Sequence, residues 1–490
     1  MKKILNKIKS YRPAKEILLL YFFIPIFLSA TVVLTQEEDI WFLLNHGKYI
    51  LNHGFPTVEP FTIHQGLSFV MQQWLSAFVF YLIYSLFGKY GLLILIVMVN
   101  LLILFFLYKL CMTISDNKRT ISTVITCITD IFLMIFILPR PQIFTYLFLI
   151  IILYIMEVFY KDKNTKLIYF LPLISILQIN FHASMWFMLY LFMLPYIVDF
   201  ILKFIKNKKD KRIFKLLVII LVMLGVGFIN PYGINNIIYI FNSYGNKYIN
   251  SMIMEMFPPT INSSNAFGIY GKITFLIIGV IVCIYMFYRK GCFKLRHMLL
   301  LLGVLILALC NIRSLSLLII GGIPFLAAYL KDLIADNCDN NMISQKYKMN
   351  YLFSVGFLLL FIVVLGGLLQ PKFDNGLKKG VDKLLADSDY KDIVLYTNYN
   401  NGSYCEYRGI KTYIDTRAEV FLKSNNKKED IFYEYYLLTK GRYDIDKFLN
   451  KYNFTHLLVT KNDILYKYLI NSKDYETIYK EKDYRIFKRI

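Results

Sequence analysis

The sequence predicts a polytopic α-helical membrane protein that carries a soluble α/β domain after its last span. Of the 490 residues, 57% are hydrophobic and only 18% are charged, and the mean hydropathy is +0.50. A chain of this composition has more apolar surface than a water-soluble globule can bury. Long apolar runs recur up to residue 370, and the sequence then becomes hydrophilic, with short strand-like and helix-like segments.

Eleven apolar runs predict membrane-spanning helices, because most of them approach the roughly 20 residues that cross a bilayer core of about 30 Å. They cover about residues 17–35, 91–113, 120–138, 142–160, 166–181, 183–204, 213–230, 272–289, 297–311, 313–331 and 351–370. The apolar segment 74–88 is shorter than a span, which favours a helix that lies in the outer membrane interface.

Basic residues predict the orientation of these helices. Lysines and arginines precede the first run and cluster again between residues 203 and 215. If segment 74–88 lies in the interface, these clusters are cytoplasmic, as the positive-inside rule requires. The sequence therefore predicts a cell-membrane protein with a cytoplasmic amino terminus and an extracytoplasmic carboxyl terminus. Because the cations flank apolar runs, the net charge of +22 is assigned to contacts with membrane lipids and not to nucleic-acid binding.

Two domains follow from this pattern. Residues 1–370 form the predicted transmembrane domain, in which 36–90 is a first outer loop with interfacial helices. Residues 371–490 form the predicted α/β domain on the outer face, with strands at 393–396, 412–414 and 456–459 and a closing hairpin at 476–488.

Polar residues at the predicted outer helix ends are the candidate functional residues. Glu37, Glu38 and Asp39 form an acidic triplet, and such a cluster repels itself unless it holds a cation, takes up a proton or binds substrate hydroxyls. A solvated loop is the alternative interpretation of this triplet. Gln142, Asn180, Glu255 and Trp74 are further candidate cavity residues.

Three cationic or titratable side chains at the same helix ends are candidates for anion binding. Arg140 and Arg313 could each clamp an anion or extend toward lipid headgroups. His182 could stabilise a phosphate or serve as a hydrogen-bonded structural residue.

Two acids, Asp130 and Glu157, lie inside predicted spans, where a buried charge is costly. Asp130 could bond to Thr126, to Thr129 or to a neighbouring helix, and Glu157 could reach the membrane interface. In the hydrophilic region, Asp415 and Arg417 could contact an acceptor or form a structural ion pair, and 401–404 is predicted at a strand end or turn.

The order of short motifs resembles that of bacterial membrane glycosyltransferases of the GT-C type, which are related to the dolichyl-phosphate-mannose protein mannosyltransferases. The motifs are Glu37-Glu38-Asp39-Ile40-Trp41, Gly47-Lys48-Tyr49-Ile50, His53-Gly54-Phe55-Pro56, Gln73-Trp74-Leu75, Arg140-Pro141-Gln142, Asn180-Phe181-His182, Asn230-Pro231-Tyr232-Gly233 and Ile414-Asp415-Thr416-Arg417-Ala418-Glu419.

This resemblance implies hexosyl or pentosyl transfer from a polyprenyl-phosphate carrier to an acceptor hydroxyl on an unknown glycan, polymer or protein of the cell envelope. Asp39, then Glu37 and Glu38, would match the catalytic acid of the first loop, and Arg140, His182 and Arg313 would contact the donor phosphate. If a divalent cation such as Mg²⁺ or Mn²⁺ takes part, Glu37 and Asp39 would hold it. Several relatives have a second acidic residue in the next outer loop, where this chain has Arg140-Pro141-Gln142.

Two other classes of function stay open at the level of sequence. One is a transporter or flippase for a lipid-linked or polar solute, with Asp130 and the outer acids lining its path. The other is a non-catalytic scaffold for cell-surface polymer assembly.

Overall fold

The computed structural model describes residues 39–208, 210–259, 294–331, 375–481 and 483–490, together with residue 279. The predicted spans at 17–35 and 351–370 lie outside the described residues, as does all but one residue of 272–289. Glu37 and Glu38 lie outside them too. The described residues belong to two compact units, the first made of 92–229, 255–259, 279 and 294–331 and the second of 39–91, 230–254 and 375–490.

Helices account for most of the described residues. The α-helices are α1 Ile40–His53, α2 Trp74–Ile114, α3 Arg119–Leu133, α4 Gln142–Lys161, α5 Leu171–Phe181, α6 Trp186–Lys206, α7 Arg212–Val226, α8 Ile234–Ser243, α9 Lys247–Met252, α10 Leu295–Cys310, α11 Leu315–Gly322, α12 Leu326–Leu330, α13 Asn375–Asp387, α14 Tyr399–Tyr407, α15 Lys423–Asn426, α16 Ile431–Thr439, α17 Ile445–Tyr452 and α18 Ile464–Asn471. The strands are β1 Leu395–Thr397, β2 His456–Thr460, β3 Tyr475–Glu481 and β4 Tyr484–Arg489.

Within the described ranges, five helical segments are long and apolar enough to cross a membrane. They are Trp74–Ile114, Arg119–Phe136, Gln142–Lys161, Ala183–Lys206 and Ile312–Leu330. Two shorter apolar segments, Leu167–Phe181 and Leu295–Cys310, also match predicted spans, whereas the predicted span 213–230 is the 15-residue helix α7. The predicted helical membrane architecture is confirmed, and the total of eleven spans stays a prediction.

The interruption of α2 matches a boundary that the sequence predicted. Gly88 leaves the helical region, with φ 59° and ψ −152°, and separates residues 74–87 from 89–114. A positive φ of this kind suits glycine because it has no Cβ. The sequence separated the short segment 74–88 from the span 91–113 at this point, and the interfacial position of the short segment stays a prediction.

Buried hydrogen bonds connect the helices of the first unit. The Trp186 indole donates to the Ser175 hydroxyl at 2.8 Å, and this hydroxyl donates to the Met223 carbonyl at 2.9 Å, which links α6, α5 and α7. The Asn100 amide donates to Asp130 at 3.2 Å from the neighbouring helix α2. Of the partners considered for Asp130, the neighbouring helix is therefore the one observed.

Glu157 is paired inside the protein, and its position relative to the membrane interface stays a prediction. Its side chain is fully buried and accepts hydrogen bonds from Arg296 at 2.7 and 2.8 Å and from the Tyr196 hydroxyl at 3.0 Å. His297 lies 2.9 Å away. Because Arg296 is buried with it, Glu157 needs no contact with water.

The second unit is built on a four-stranded sheet of order β1-β2-β4-β3. β1 and β2 are parallel, and β4 pairs antiparallel with both β2 and β3. The predicted closing hairpin is therefore confirmed as β3 and β4. The predicted strand 412–414 does not form a ladder in the described structure. Thr412 makes isolated bridges to Thr62 and Leu395 that do not extend along the segment.

Residues 401–404 lie inside α14 and not at the predicted strand end. The reason is a helix cap, since the side chain of Asn398 accepts a hydrogen bond from the backbone N–H of Asn401 at 3.1 Å. This cap begins a helix directly after β1.

The first loop packs with the carboxyl-terminal region in the second unit. Trp41 of α1 contacts the rings of Tyr404 and Tyr407 at centroid distances of 5.0 and 5.1 Å. Gly47 of the same helix lies so close to α2 that an added Cβ would stand 2.3 Å from the Ala77 carbonyl oxygen. The sequence assigned 36–90 to the membrane domain, and this assignment stays a prediction. In the second unit, Leu67, Phe69 and Met71 share a hydrophobic core with residues of 375–490. The boundary at residue 370 lies outside the described residues and stays a prediction.

Candidate active site

The turn before α4 places two of the candidate residues. The Arg140 N–H donates to the Leu138 carbonyl at 2.7 Å, and the Arg140 carbonyl accepts from the Ile143 N–H at 3.2 Å. Pro141 caps the helix, where its missing N–H costs no hydrogen bond. Arg140 therefore stands just before α4, and Gln142 is the first residue of this helix.

Glu255 and Arg313 lie on two short 3₁₀ turns, Met254–Met256 and Ile312–Ser314. The second turn is capped by Asn311, whose side-chain oxygen accepts from the N–H and the hydroxyl of Ser314, both at 2.9 Å. The Ile312 N–H donates to the Phe257 carbonyl at 3.0 Å, which ties the two turns together.

One cavity in the first unit is lined by five polar side chains. These side chains are Arg140, Gln142, Tyr146, Glu255 and Arg313. The remaining lining residues are apolar and are Ile135, Phe136, Leu138 and Ile312. The structure thus brings together four residues that the sequence singled out separately, and it adds Tyr146.

The cavity cluster, which we define as Arg140, Arg313 and Glu255, has two cations and one carboxylate. Arg140 donates to Glu255 at 2.9 Å. Burial alone would raise the pKa of Glu255, but Arg140 and Arg313 outweigh burial and hold this pKa below its ordinary value. Glu255 is therefore ionised at neutral pH, and the cluster carries a net charge of one positive.

Among the buried polar atoms of the cavity lining, the side-chain oxygen of Gln142 and the Nε of Arg313 have no hydrogen-bond partner in the described residues. Buried polar atoms in native proteins normally find a partner in protein, water or ligand. The cavity therefore keeps one donor and one acceptor that a bound molecule can satisfy.

His182 and Asn180 do not line this cavity. His182 is buried, and its Nδ1 lies 2.8 Å from the Thr145 hydroxyl. Asn180 donates to the carbonyls of Ile176 and Ile229 at 2.8 and 2.9 Å. Both side chains make structural hydrogen bonds, and their contact with a substrate stays a prediction.

Asp39 and Trp74 begin helices of the second unit. Asp39 stands at the N-cap of α1 without a side-chain capping bond, and Trp74 packs edge-on against Phe55 at 5.1 Å. Burial, with the charge of Asp39 as the next cause, raises the pKa of Tyr399 well above its ordinary value. In the described part of the chain, no group of three or more His, Cys, Asp or Glu side chains could hold a metal ion.

A second arginine cluster lies inside the second unit. We define the buried cluster as Arg417 with Asp415, Glu406, Glu59 and His46. Arg417 donates to Asp415 at 2.9 Å, to Glu59 at 3.0 Å and to Glu406 at 3.1 Å, and its Nη1 lies 3.1 Å from His46. Asp415 and Arg417 thus form the structural ion pair that the sequence left open against acceptor binding.

Burial shifts the pKa values of two groups in the buried cluster. Burial, and then repulsion from Asp415, raises the pKa of Glu406 well above its ordinary value. Burial, and then the charge of Arg417, lowers the pKa of His46 well below its ordinary value. His46 is therefore neutral at neutral pH, and Glu406 holds its proton to a higher pH than a free glutamate does.

No protein-family model and no curated protein sequence matches this chain. Solved structures of the Archaeoglobus fulgidus oligosaccharyltransferase are similar to it. The form tethered to an acceptor peptide with the NVT sequon has a TM-score of 0.54 and 12% identity and covers 91% of this chain and 69% of that chain. The AglB complex with an inhibitory peptide and a dolichol-phosphate has a TM-score of 0.50 and 9% identity, and the match covers 90% of this chain and 69% of that chain. The apo form has a TM-score of 0.52 and 10% identity, and the match covers 91% of this chain and 70% of that chain. This chain therefore has the fold of these oligosaccharyltransferases, in agreement with the glycosyltransferase resemblance carried by the order of its motifs.

Proposed function

We propose that this chain is a membrane glycosyltransferase that moves a sugar from a polyprenyl-phosphate carrier to an acceptor hydroxyl on the outer face of the cell membrane. The observation that carries the proposal is the cavity of the first unit, on which Arg140 and Arg313 converge. Arginine is well suited to phosphate because its planar guanidinium presents several donors. The GT-C fold supports the same function, since a solved neighbour of that fold binds a dolichol-phosphate and a peptide.

In this proposal the donor phosphate occupies the cavity cluster. The acceptor oxygen forms a bond to the anomeric carbon while the bond from that carbon to the phosphate oxygen breaks. The phosphate keeps the electron pair, and Arg140 and Arg313 stabilise the charge that grows on it. The energy of the donor bond drives the transfer, so the reaction needs no nucleotide.

A carboxylate of the first loop accepts the proton of the acceptor hydroxyl. Asp39 is the first candidate, because the resemblance matches it to the catalytic acid of the first loop, followed by Glu37 and Glu38. General-base assistance of this kind is typically worth about 10² to 10⁴ in rate. If a divalent cation takes part, Asp39 and Glu37 are the residues that would hold it.

The test is sugar transfer by protein reconstituted in vesicles that contain a polyprenyl-phosphate sugar. We expect Asp39→Asn to lower the transfer rate by about 10² to 10⁴, with Glu37→Gln and Glu38→Gln measured beside it. Asp382→Asn is the control, because among the described residues this acid forms a partly exposed ion pair with Arg408 in the second unit. Undiminished transfer in all three variants of the acidic triplet would remove the proposed base.

The same vesicles separate this function from transport. A flippase or transporter moves labelled donor or solute across the bilayer without forming a new glycosidic bond. Uptake without product in the unaltered protein would favour that alternative.

A further inference from the structure

Glu255 is the feature of the cavity that phosphate binding alone does not explain. A carboxylate beside a phosphate site opposes the binding of an anion. Glu255 nevertheless lies 2.9 Å from Arg140, and the positive charge of Arg313 also favours its ionised form. Its side chain is 21% exposed, so it borders the cavity and is not sealed from it.

The charges of the cavity cluster limit which headgroup it suits. Two arginines and one ionised carboxylate leave one positive charge. A sugar joined to a polyprenol through one phosphate is a phosphodiester and carries one negative charge. A diphosphate-linked sugar carries two, and the polyprenyl phosphate left after transfer carries about 1.5 to 2 at neutral pH, since the second pKa of a phosphate monoester is about 6.

We propose that Glu255 is a specificity-determining residue that sets the cavity at one positive charge, so that the cavity prefers a phosphodiester headgroup over dianionic phosphates. This inference rests on the proposed function and deepens it. The carboxylate disfavours a diphosphate-linked donor at binding, and it disfavours the monoester product in the same way, which favours its release after transfer.

The chain offers a conservative variant and a matched control. Glu255→Gln removes the charge but keeps an oxygen that accepts the hydrogen bond of Arg140. Asp116→Asn removes one negative charge from the same unit, where Asp116 pairs with Lys161 and Lys331 and does not line the cavity. Both variants raise the net charge of the chain by one, so an effect of overall charge moves both equally.

The experiment measures binding of three short-chain lipids to the full chain in nanodiscs at pH 7.5. The probes are a polyprenyl-phosphate sugar, a polyprenyl-diphosphate sugar and a polyprenyl phosphate. We expect the unaltered protein and Asp116→Asn to prefer the phosphodiester. Glu255→Gln should raise the affinity for each dianionic lipid, relative to the affinity for the phosphodiester, by about tenfold. This factor corresponds to the difference in free energy between a hydrogen bond with a charged partner and one with a neutral partner. Raising the salt concentration should weaken the shift.

Three outcomes would overturn the inference. Equal affinity of the unaltered protein for all three lipids, or an equal shift in Glu255→Gln and Asp116→Asn, would remove the role of Glu255 while phosphate binding at the cavity stands. No binding of any probe, with Arg140→Gln and Arg313→Gln indistinguishable from the unaltered protein, would remove the proposed function as well.

Discussion

The cavity cluster and the buried cluster use the same residue types in opposite proportions. The first has two arginines to one carboxylate, with Arg140 and Glu255 exposed by 17% and 21%. The second has one arginine to three carboxyl groups, with Arg417 and Glu59 exposed by 2% and 0%. Each lies in a different unit of the chain.

The ratio of arginines to carboxyl groups determines whether an arginine keeps donors for a ligand or uses them all within the fold. Every guanidinium nitrogen of Arg417 has a partner, because Nε bonds to Asp415, Nη1 lies beside His46 and Nη2 serves three acids. The Nε of Arg313 in the cavity has no partner among the described residues. An excess of cations at a cavity leaves donors for an anion, whereas an excess of acids around a buried arginine leaves none.

The largest effect is expected at Arg417. Arg417→Gln leaves Asp415 and Glu59 buried without their cation, and breaking a buried ion pair from one side typically costs about 3 to 5 kcal/mol of unfolding free energy. Thermal and denaturant unfolding in detergent micelles, followed by circular dichroism, measures the loss. Arg408→Gln is the control, since its partly exposed pair with Asp382 is expected to contribute less than about 1 kcal/mol. Equal losses in the two variants would contradict the contrast between the clusters.

Substitution of the cavity arginines should affect sugar transfer more than stability. We expect Arg140→Gln and Arg313→Gln to lower sugar transfer by about 10² to 10³, as removal of a charge-stabilising donor does. Their loss of unfolding free energy should be smaller than that of Arg417→Gln, because Glu255 keeps one of its two cations and is partly exposed. Arg212→Gln is a matched control, because its pair with Asp210 in the same unit has exposures of 17% and 18% and lies away from the cavity lining. If Arg212→Gln slowed transfer as much, the cavity would not be the reason for the loss.

Sequence patterns predicted the helices well because a membrane demands long apolar runs. The predicted runs 142–160 and 183–204 correspond to Gln142–Lys161 and Ala183–Lys206. The closing hairpin was also predicted, since alternation on both sides of Lys482-Asp483 is a local signal. The prediction from local patterns was wrong at 401–404, because the side chain of Asn398 caps a helix there.

The charge clusters could be predicted only in part. Arg140, Glu255 and Arg313 were each noticed at a helix end, but their convergence depends on how turns far apart in sequence fold together. Glu59 gave no signal, because its partner Arg417 stands 358 residues away. Glu157 carried the signal of a buried acid in a span, which requires a partner, and Arg296 at the start of another apolar run is the partner that this signal did not identify.

The smallest effect is expected at Glu406, and there the pH dependence of the unfolding free energy distinguishes the two clusters. The folded pKa of Glu406 is raised. Above its ordinary pKa of about 4.3 the unfolded chain ionises while the folded chain stays protonated, so stability declines as the pH rises. The folded pKa of Glu255 is lowered, so its contribution is present at neutral pH and is lost as the pH falls through that lowered value.

A Glu→Gln substitution in each cluster tests whether stability depends on pH with opposite signs at Glu406 and Glu255. Near pH 4, Glu406→Gln should change the unfolding free energy by less than about 1 kcal/mol, because an amide replaces a protonated acid of similar shape. The variant should then gain on the unaltered protein as the pH rises toward 7. Glu255→Gln should instead lose stability at pH 7 and match the unaltered protein only under acid conditions. Unfolding measured from pH 4 to 7 gives both slopes, and two slopes of the same sign would show that Glu406 is ionised and that the buried cluster holds three charged acids around one arginine.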